Sequence, residues 1–128
     1  MIQILPMEDR EKERELLAQA DGAGDKARVL AMTDRGEQVG AVAVELRGAQ
    51  LRILRLWAGD YDFSEKPQGE TAFFLDTLMR SAASYGETFG ATEIVTAFPD
   101  FFDFFKARGF EVDDTHAFTP MSTIVRYE

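Results

Sequence analysis

Four carboxylates, Asp60, Asp62, Glu65 and Glu70, fall within the one stretch 60–70. A carboxylate held beside an amine can take its proton as a general base, or clamp a cationic substrate electrostatically. The same stretch also reads as a solvated loop. Metal binding has less support, because the Asp60–Asp62 pair is followed by no His or Glu at ligand spacing. His116 is the one histidine. It can be a base, but it stands beside Asp113-Asp114 between two closing strands, where a surface turn residue is the simpler role. Ser81, Ser84 and Ser122 have no His or Asp in a hydrolase pattern, so nucleophilic catalysis has no support. The absence of Cys excludes disulfides, thiolate metal sites and cysteine nucleophiles. Trp57 could flank a pocket or pack in the core. The run Phe98 to Phe105 holds five Phe in eight residues. One short helix cannot turn all of them inward, so some should line a cleft or an interface, unless the segment lies deep under a sheet.

The elements that must position these residues can be read from periodicity and turn chemistry. Met1–Pro6 reads as a strand. Glu8–Ala20 reads as a surface helix with an acid-first Glu8–Lys12 pair and thin apolar content at Met7, Leu16, Leu17 and Ala20. Asp21-Gly22-Ala23-Gly24-Asp25 ends it. Ala27–Thr33, Val39–Leu46 and Leu51–Trp57 are separated by the tight turns Asp34–Glu37 and Arg47–Ala49, which predicts an antiparallel meander. In the third of these strands, alternation places Leu51, Ile53 and Arg55 on one face and Arg52, Leu54 and Leu56 on the other.

A long irregular stretch, 59–69, precedes the clearest helix, Ala72–Phe89. There Phe74, Leu78 and Ala82 recur at helical spacing beside Leu75, Met79 and Ala83, and Asp76 stands four residues before Arg80. Glu93–Ala97 is a short strand. Asp100–Ala107 is a short helix with Asp100 as N-cap. Phe110–Val112 and Ser122–Tyr127 read as closing strands. The order β-α-β-β-β-α-β-α-β-β predicts an α/β (α+β) fold, a mixed, mainly antiparallel sheet flanked by helices.

The length of 128 residues fits one domain, 1–128, and 45% hydrophobic residues with eleven Phe provide its core. The net charge of −9 opposes a duplex-binding surface, so no nucleic-acid partner is expected. An acidic surface favours cationic partners such as amines, or simply serves solubility. No apolar run approaches the roughly 20 residues of a membrane span. The first residues lack a basic region followed by an apolar stretch, so neither a membrane nor a secretory signal is expected. A cytoplasmic location is the default.

Between Lys66 and Phe110 the chain resembles the GNAT superfamily of acyl-CoA N-acyltransferases, as a divergent member with a degenerate pyrophosphate loop. Lys66, Gly69 and Thr71 stand where that family has an Arg or Gln, a Gly, and a Gly or Ala. Phe74-Leu75 and Leu78 follow its leucine pattern, and Phe104-Phe105 lead to Gly109-Phe110 as its aromatic pair leads to Gly-Phe. The resemblance implies an acyl-CoA cosubstrate, acetyl-CoA or another, held by Lys66, Gly69, Glu70 and Thr71. Its pantetheine arm would pair with the strand ending at Leu56-Trp57. The implied reaction is acyl transfer to a small amine, with no catalytic residue assigned and room for a homodimer. Phe105 stands where many members have a Tyr thought to protonate the leaving thiolate, and Phe98 where an Asn often contacts the cofactor arm. Those departures point to a second reading, a non-catalytic module for binding or protein interaction on the same fold.

Overall fold

A computed structural model of the chain describes residues 2–20, 22–61, 66–98 and 102–125. The elements are β1 (Ile2–Pro6), α1 (Arg10–Leu17), β2 (Arg28–Asp34), β3 (Glu37–Arg47), β4 (Gln50–Ala58), α2 (Gly69–Thr88), β5 (Glu93–Thr96), α3 (Phe102–Lys106), β6 (Glu111–Val112) and β7 (Ala117–Pro120), followed by a 3-10 turn at Met121–Thr123. The strands form one seven-stranded sheet in the order β1-β2-β3-β4-β5-β7-β6. Every neighbouring pair is antiparallel except β4–β5. The fold class and the meander are as the sequence predicts. Among the described residues no helix is long and apolar enough to cross a membrane.

The sheet has two covered faces. On one, α2 and the aromatic residues of α3 close a core over Leu51, Ile53, Leu56 and Ala58 of β4. On the other, Leu16 and Leu17 of α1 pack with Val29, Ala41 and Ala43. The apolar stripe of α2 accounts for its burial: Leu75, Leu78, Met79, Ala82, Ala83 and Gly86 recur at helical spacing, and all are buried. Two glycines allow the helix to lie close to the sheet. A Cβ on Gly86 would stand 2.8 Å from Leu51 Cβ, and one on Gly40 would stand 2.7 Å from the Trp57 carbonyl oxygen and 3.1 Å from Leu78 Cδ1. The same contacts give the helix its direction. Gly86, near its end, lies over the start of β4, whereas Leu78 lies over the end of β4.

Four expectations need correction. Helix α1 begins at Arg10, capped by the Asp9 side chain, which accepts from Lys12 N at 3.1 Å. Glu8 therefore precedes the helix, and the Glu8–Lys12 pair is not formed. The last strand is Ala117–Pro120 rather than Ser122–Tyr127: Pro120 has no N–H to continue a ladder, and the chain turns at Met121–Thr123 with Ile124 N donating to Met121 O at 3.1 Å. Residues 126–128 lie outside the described residues, as does the expected N-cap Asp100. In β4 the alternation breaks. Ala43 pairs with Arg55 and Val44 with Ile53, so Leu54 is an extra residue, a β-bulge. Beyond it the faces exchange, and Leu56 and Ala58 join Leu51 and Ile53 against α2. Finally, the Phe98–Phe105 run divides: Phe98 is half-buried and lines a cleft, as expected of part of the run, but Phe102 is half-buried and Phe104 and Phe105 are buried, so none of its described members is exposed.

One carboxylate that reads as part of a solvated charged run is interior. Glu13 is only 4% exposed. Its Oε2 accepts from Arg28 Nε at 3.0 Å and from Val29 N at 2.9 Å, and its Oε1 accepts from Arg10 Nη1 at 3.1 Å. Burial pushes its carboxyl up, but the Val29 N–H and the Arg28 guanidinium outweigh that and hold it below the ordinary value.

Two outcomes follow from this packing. Gly86→Ala gains about 1 kcal/mol of helix propensity yet should be destabilised by about 1–3 kcal/mol, because overpacking forces α2 off Leu51; a urea midpoint at or above the parent's would show that the contact yields. A group with a depressed folded pKa contributes stability above its unfolded pKa and loses it as pH falls through the folded value. Glu13→Gln should therefore cost about 1–3 kcal/mol near neutrality, with the gap to the parent narrowing from about pH 5 to about pH 3. A gap constant over that range would mean that the Glu13 charge does not tie α1 to β2.

Candidate functional site

The sheet opens at its one parallel pair. β4 and β5 pair only through Gln50, Arg52 and Leu51 against Glu93, Val95 and Ile94, and β4 then runs on to Ala58 while β5 ends at Thr96. From Ile53 onward the backbone of β4 on that side has no strand beside it among the described residues, an edge that another extended chain can pair with. The gap leads to a small cleft of about 130 Å³, lined by Arg47, Arg52, Leu54, Val95, Ala97 and Phe98 among others.

The crossover between these parallel strands is α2. Because it runs antiparallel to β4, its first turn projects past the end of β4, about 13 Å beyond Leu78 along the axis at 1.5 Å per residue. Gly69 starts the helix at φ +55, with nothing within 4 Å of where a Cβ would stand. Gln68 precedes it in an extended conformation and makes no side-chain cap. The first N–H groups of a helix have no intrahelical acceptor, and no side chain supplies one at Gln68. This is the geometry in which backbone donors and the helix dipole receive an anion. Lys66, Gly69 and Glu70 are exposed and Thr71 is half-buried. Among the described residues no ion pair joins Lys66 to Glu70.

The β4 edge carries the other candidates. Leu56 is only 1% exposed and its side chain belongs to the core under α2, so it can offer a ligand backbone groups alone. Trp57 lies on the opposite face. The Arg55 guanidinium is 5.7 Å from the Trp57 ring centroid and 5.4 Å from that of Phe98. Arg52 and Arg55 were not singled out by sequence reasoning. At a spacing of three, regular alternation puts them on opposite faces; the Leu54 bulge puts both on the α1 side. Their position inside an apolar strand was the only available signal.

The aromatic segment is held from α2. Asp76 Oδ1 accepts from Arg108 Nε at 2.8 Å and its Oδ2 from Arg80 Nε at 2.8 Å, which confirms the acid-first pair and adds a partner from beyond α3. Arg108 also donates to Phe104 O at 3.0 Å and lies 3.6 Å over the Phe104 ring. Burial raises the Asp76 pKa, but the two guanidinium groups, Arg108 first, outweigh it and hold the carboxyl below its ordinary value. Phe105 is fully buried, edge-on to Phe104 at 5.4 Å and 4.7 Å from Phe110. It presents no polar group to the cleft.

His116 and the serines lie elsewhere. His116 sits in the β6–β7 turn, where Asp113 Oδ1 accepts from its backbone N at 2.7 Å and from Thr115 N at 2.8 Å. Asp60 is exposed, while Asp62 and Glu65 lie outside the described residues. Ser81 and Ser84 line a separate groove between α2 and β1, and Ser122 is exposed. Among the described residues no three His, Asp or Glu gather as a metal site.

By sequence, no protein-family model and no curated protein matches the chain. Its fold is nevertheless that of the GNAT acyltransferases. An IAA acetyltransferase from Bacillus cereus is similar at a TM-score of 0.69 and 12% identity, over 94% of this chain and 99% of that one. A Bacillus subtilis acetyltransferase in complex with CoA is similar at 0.64 and 14%, over 94% and 99%. The ribosomal-protein-S18-alanine N-acetyltransferase of Escherichia coli is similar at 0.63 and 12%, over 94% of each chain.

Proposed function

We propose that the chain is an acyl-CoA-dependent N-acyltransferase that transfers an acyl group, with acetyl as the first choice, to a small amine. The observation that carries this reading is the splayed β4–β5 pair with the uncapped N-terminus of a 20-residue helix projecting past its open end. The residues present fit a CoA thioester. Backbone N–H groups at Gly69, Glu70 and Thr71, with Lys66 beside them, would hold the diphosphate, and the positive φ of Gly69 leaves room for close approach. The open edge of β4 toward Leu56 and Trp57 would pair with the amide-bearing arm. Two solved neighbours are described with bound CoA, the Bacillus subtilis acetyltransferase and a Thermoplasma acidophilum N-acetyltransferase.

The bound thioester supplies an activated acyl carbon. The protein's part is to orient it along β4, to bring the amine through the gap, and to exclude bulk water with Trp57 and Phe98. A C–N bond forms, the C–S bond breaks, and the amine proton passes to a carboxylate of the 60–65 stretch or to water. Phe105 has no hydroxyl, so the departing thiolate takes its proton from solvent. That buried phenyl ring is also the observation that favours the second reading, a non-catalytic module that keeps the fold.

Acetyl-CoA at 100 times its dissociation constant should stabilise the protein by about 2.7 kcal/mol, and calorimetry should give a one-to-one site. Glu70→Gln should tighten that binding about fivefold at low salt, since like charges about 5 Å apart in water repel by roughly 1 kcal/mol; the gain should shrink with added salt. Absence of any thermal or calorimetric response to acetyl-CoA would sink the enzyme reading. Binding without release of free thiol in the presence of amines would select the non-catalytic one. Weaker binding by Glu70→Gln would show that this carboxylate supports the loop rather than opposing the diphosphate.

A further inference from the structure

The acidic surface of this chain points to cationic partners, but the cleft beside β4 has the opposite character. Arg47 and Arg52 line the cleft, and Arg55 lies next to it, 5.4 Å from the ring centroid of the lining residue Phe98. Arg47 is committed: it is paired with buried Glu45 and donates to Gly22 O at 2.7 Å. Arg52 and Arg55 have no carboxylate partner among the described residues. Arg52 Nη2 reaches Gln50 Oε1 at 3.3 Å and Arg55 Nη1 reaches Gln19 O at 3.3 Å, both long bonds to neutral acceptors. The nearby Glu93 carboxylate is taken by Gln50 Nε2 at 2.7 Å.

Arg52 Nε, Arg55 Nε and Trp57 Nε1 are buried donors without an acceptor among the described residues. Buried donors are nearly always satisfied, and an unsatisfied one is costly. Three on one strand, beside a cleft, point to an acceptor that the fold itself does not provide. Aromatic rings on either side of Arg55 restrict its plane. Arginine forks match planar carboxylates, and among the described residues the one carboxylate opposite Arg52, Glu45, is paired with Arg47, so Arg52 and Arg55 are free to receive an anion.

We propose that this pocket is the acceptor subsite and that the acceptor is a small amine bearing a carboxylate, held by Arg52, with Arg55 behind Phe98 adding positive charge, while its amine faces the open edge of β4. At about 130 Å³ the pocket suits an amino-acid-sized molecule, well below the several hundred Å³ usual for drug-sized ligands. The assignment to an acceptor rests on the acyltransferase reading; the anion pocket does not.

Trp57 is the only tryptophan, so its fluorescence reports on the pocket without any CoA. The protein would be titrated with glycine, β-alanine and glutamate, and with glycinamide, β-alaninamide and propylamine as uncharged-end controls. Acetyl-CoA binding would be measured separately by calorimetry. A saturable change is expected with the acids and at least tenfold weaker binding with the controls. Arg52→Gln should lose the preference at least tenfold with acetyl-CoA affinity unchanged, and Arg52→Lys should recover part of it. Acids and carboxamides binding alike, or neither binding, overturns the proposal even if Arg52→Gln fails to fold, because that comparison uses the parent protein. An unaltered preference in folded Arg52→Gln overturns it as well. Acids binding while acetyl-CoA does not would keep the anion pocket and remove its assignment to an acyl acceptor.

Discussion

β4 and β5 are parallel and share only three residue pairs, and the candidate site depends on that arrangement. Parallel neighbours cannot be joined by a hairpin, so a crossover is required, and α2 supplies it. A crossover helix that returns antiparallel to β4 must begin at the end where β4 finishes. Early termination of β5 leaves that same end open. One topological constraint therefore brings three things together: a strand edge unpaired among the described residues, a gap in the sheet, and a helix N-terminus that Gln68 does not cap.

The opening has to be held by what surrounds it, since the paired part of β4–β5 is so short. Close approach at Gly86 and Gly40 seats α2 directly on β3 and β4. Asp76 then reaches from α2 to Arg108, whose guanidinium lies on Phe104 and bonds to its carbonyl. Phe104, Phe105 and Phe110 pack beneath. On the other face Glu13 joins α1 to the β2 backbone at Val29. Each side of the sheet is thus tied by a carboxylate that accepts from arginine, and in both cases those donors more than offset the desolvation of the charge. The cleft lies between these two ties, and Leu54, the bulge residue, turns β4 so that Arg52 and Arg55 share its α1 face.

The replacement of polar positions by Phe98 and Phe105 looks from sequence like the loss of a site. In the fold the two differ. Phe105 is core, with no path to the cleft. Phe98 lines the cleft and lies against Arg55, so an apolar ring there stabilises the plane of a guanidinium. One departure is therefore a core residue, whereas the other lines the cleft.

Much of the architecture was legible in the sequence, for local reasons. Tight turns at Asp34–Glu37 and Arg47–Ala49 dictate a meander, the Leu75–Leu78–Met79–Ala82 stripe dictates a packed helix, and Asp76–Arg80 is a property of helical pitch. The type and order of the elements followed. Local signals started the long helix at Ala72, three residues late, since its true first residue, Gly69, reads as loop. They misplaced the closing strand, where Pro120 ends the ladder, and the faces of β4, because a bulge depends on the partner strand and not on the bulged sequence. They could not separate Glu13 from its charged neighbours, since only the docking of α1 on β2 decides which carboxylate is covered. Nor could they join Arg52 to Arg55, Trp57 and Phe98, which a bulge and a strand distant in sequence bring together. Residue type and spacing determined the elements; the register between strands and the seating of helices determined which charges are buried, which donors lack partners, and hence what the cleft can bind.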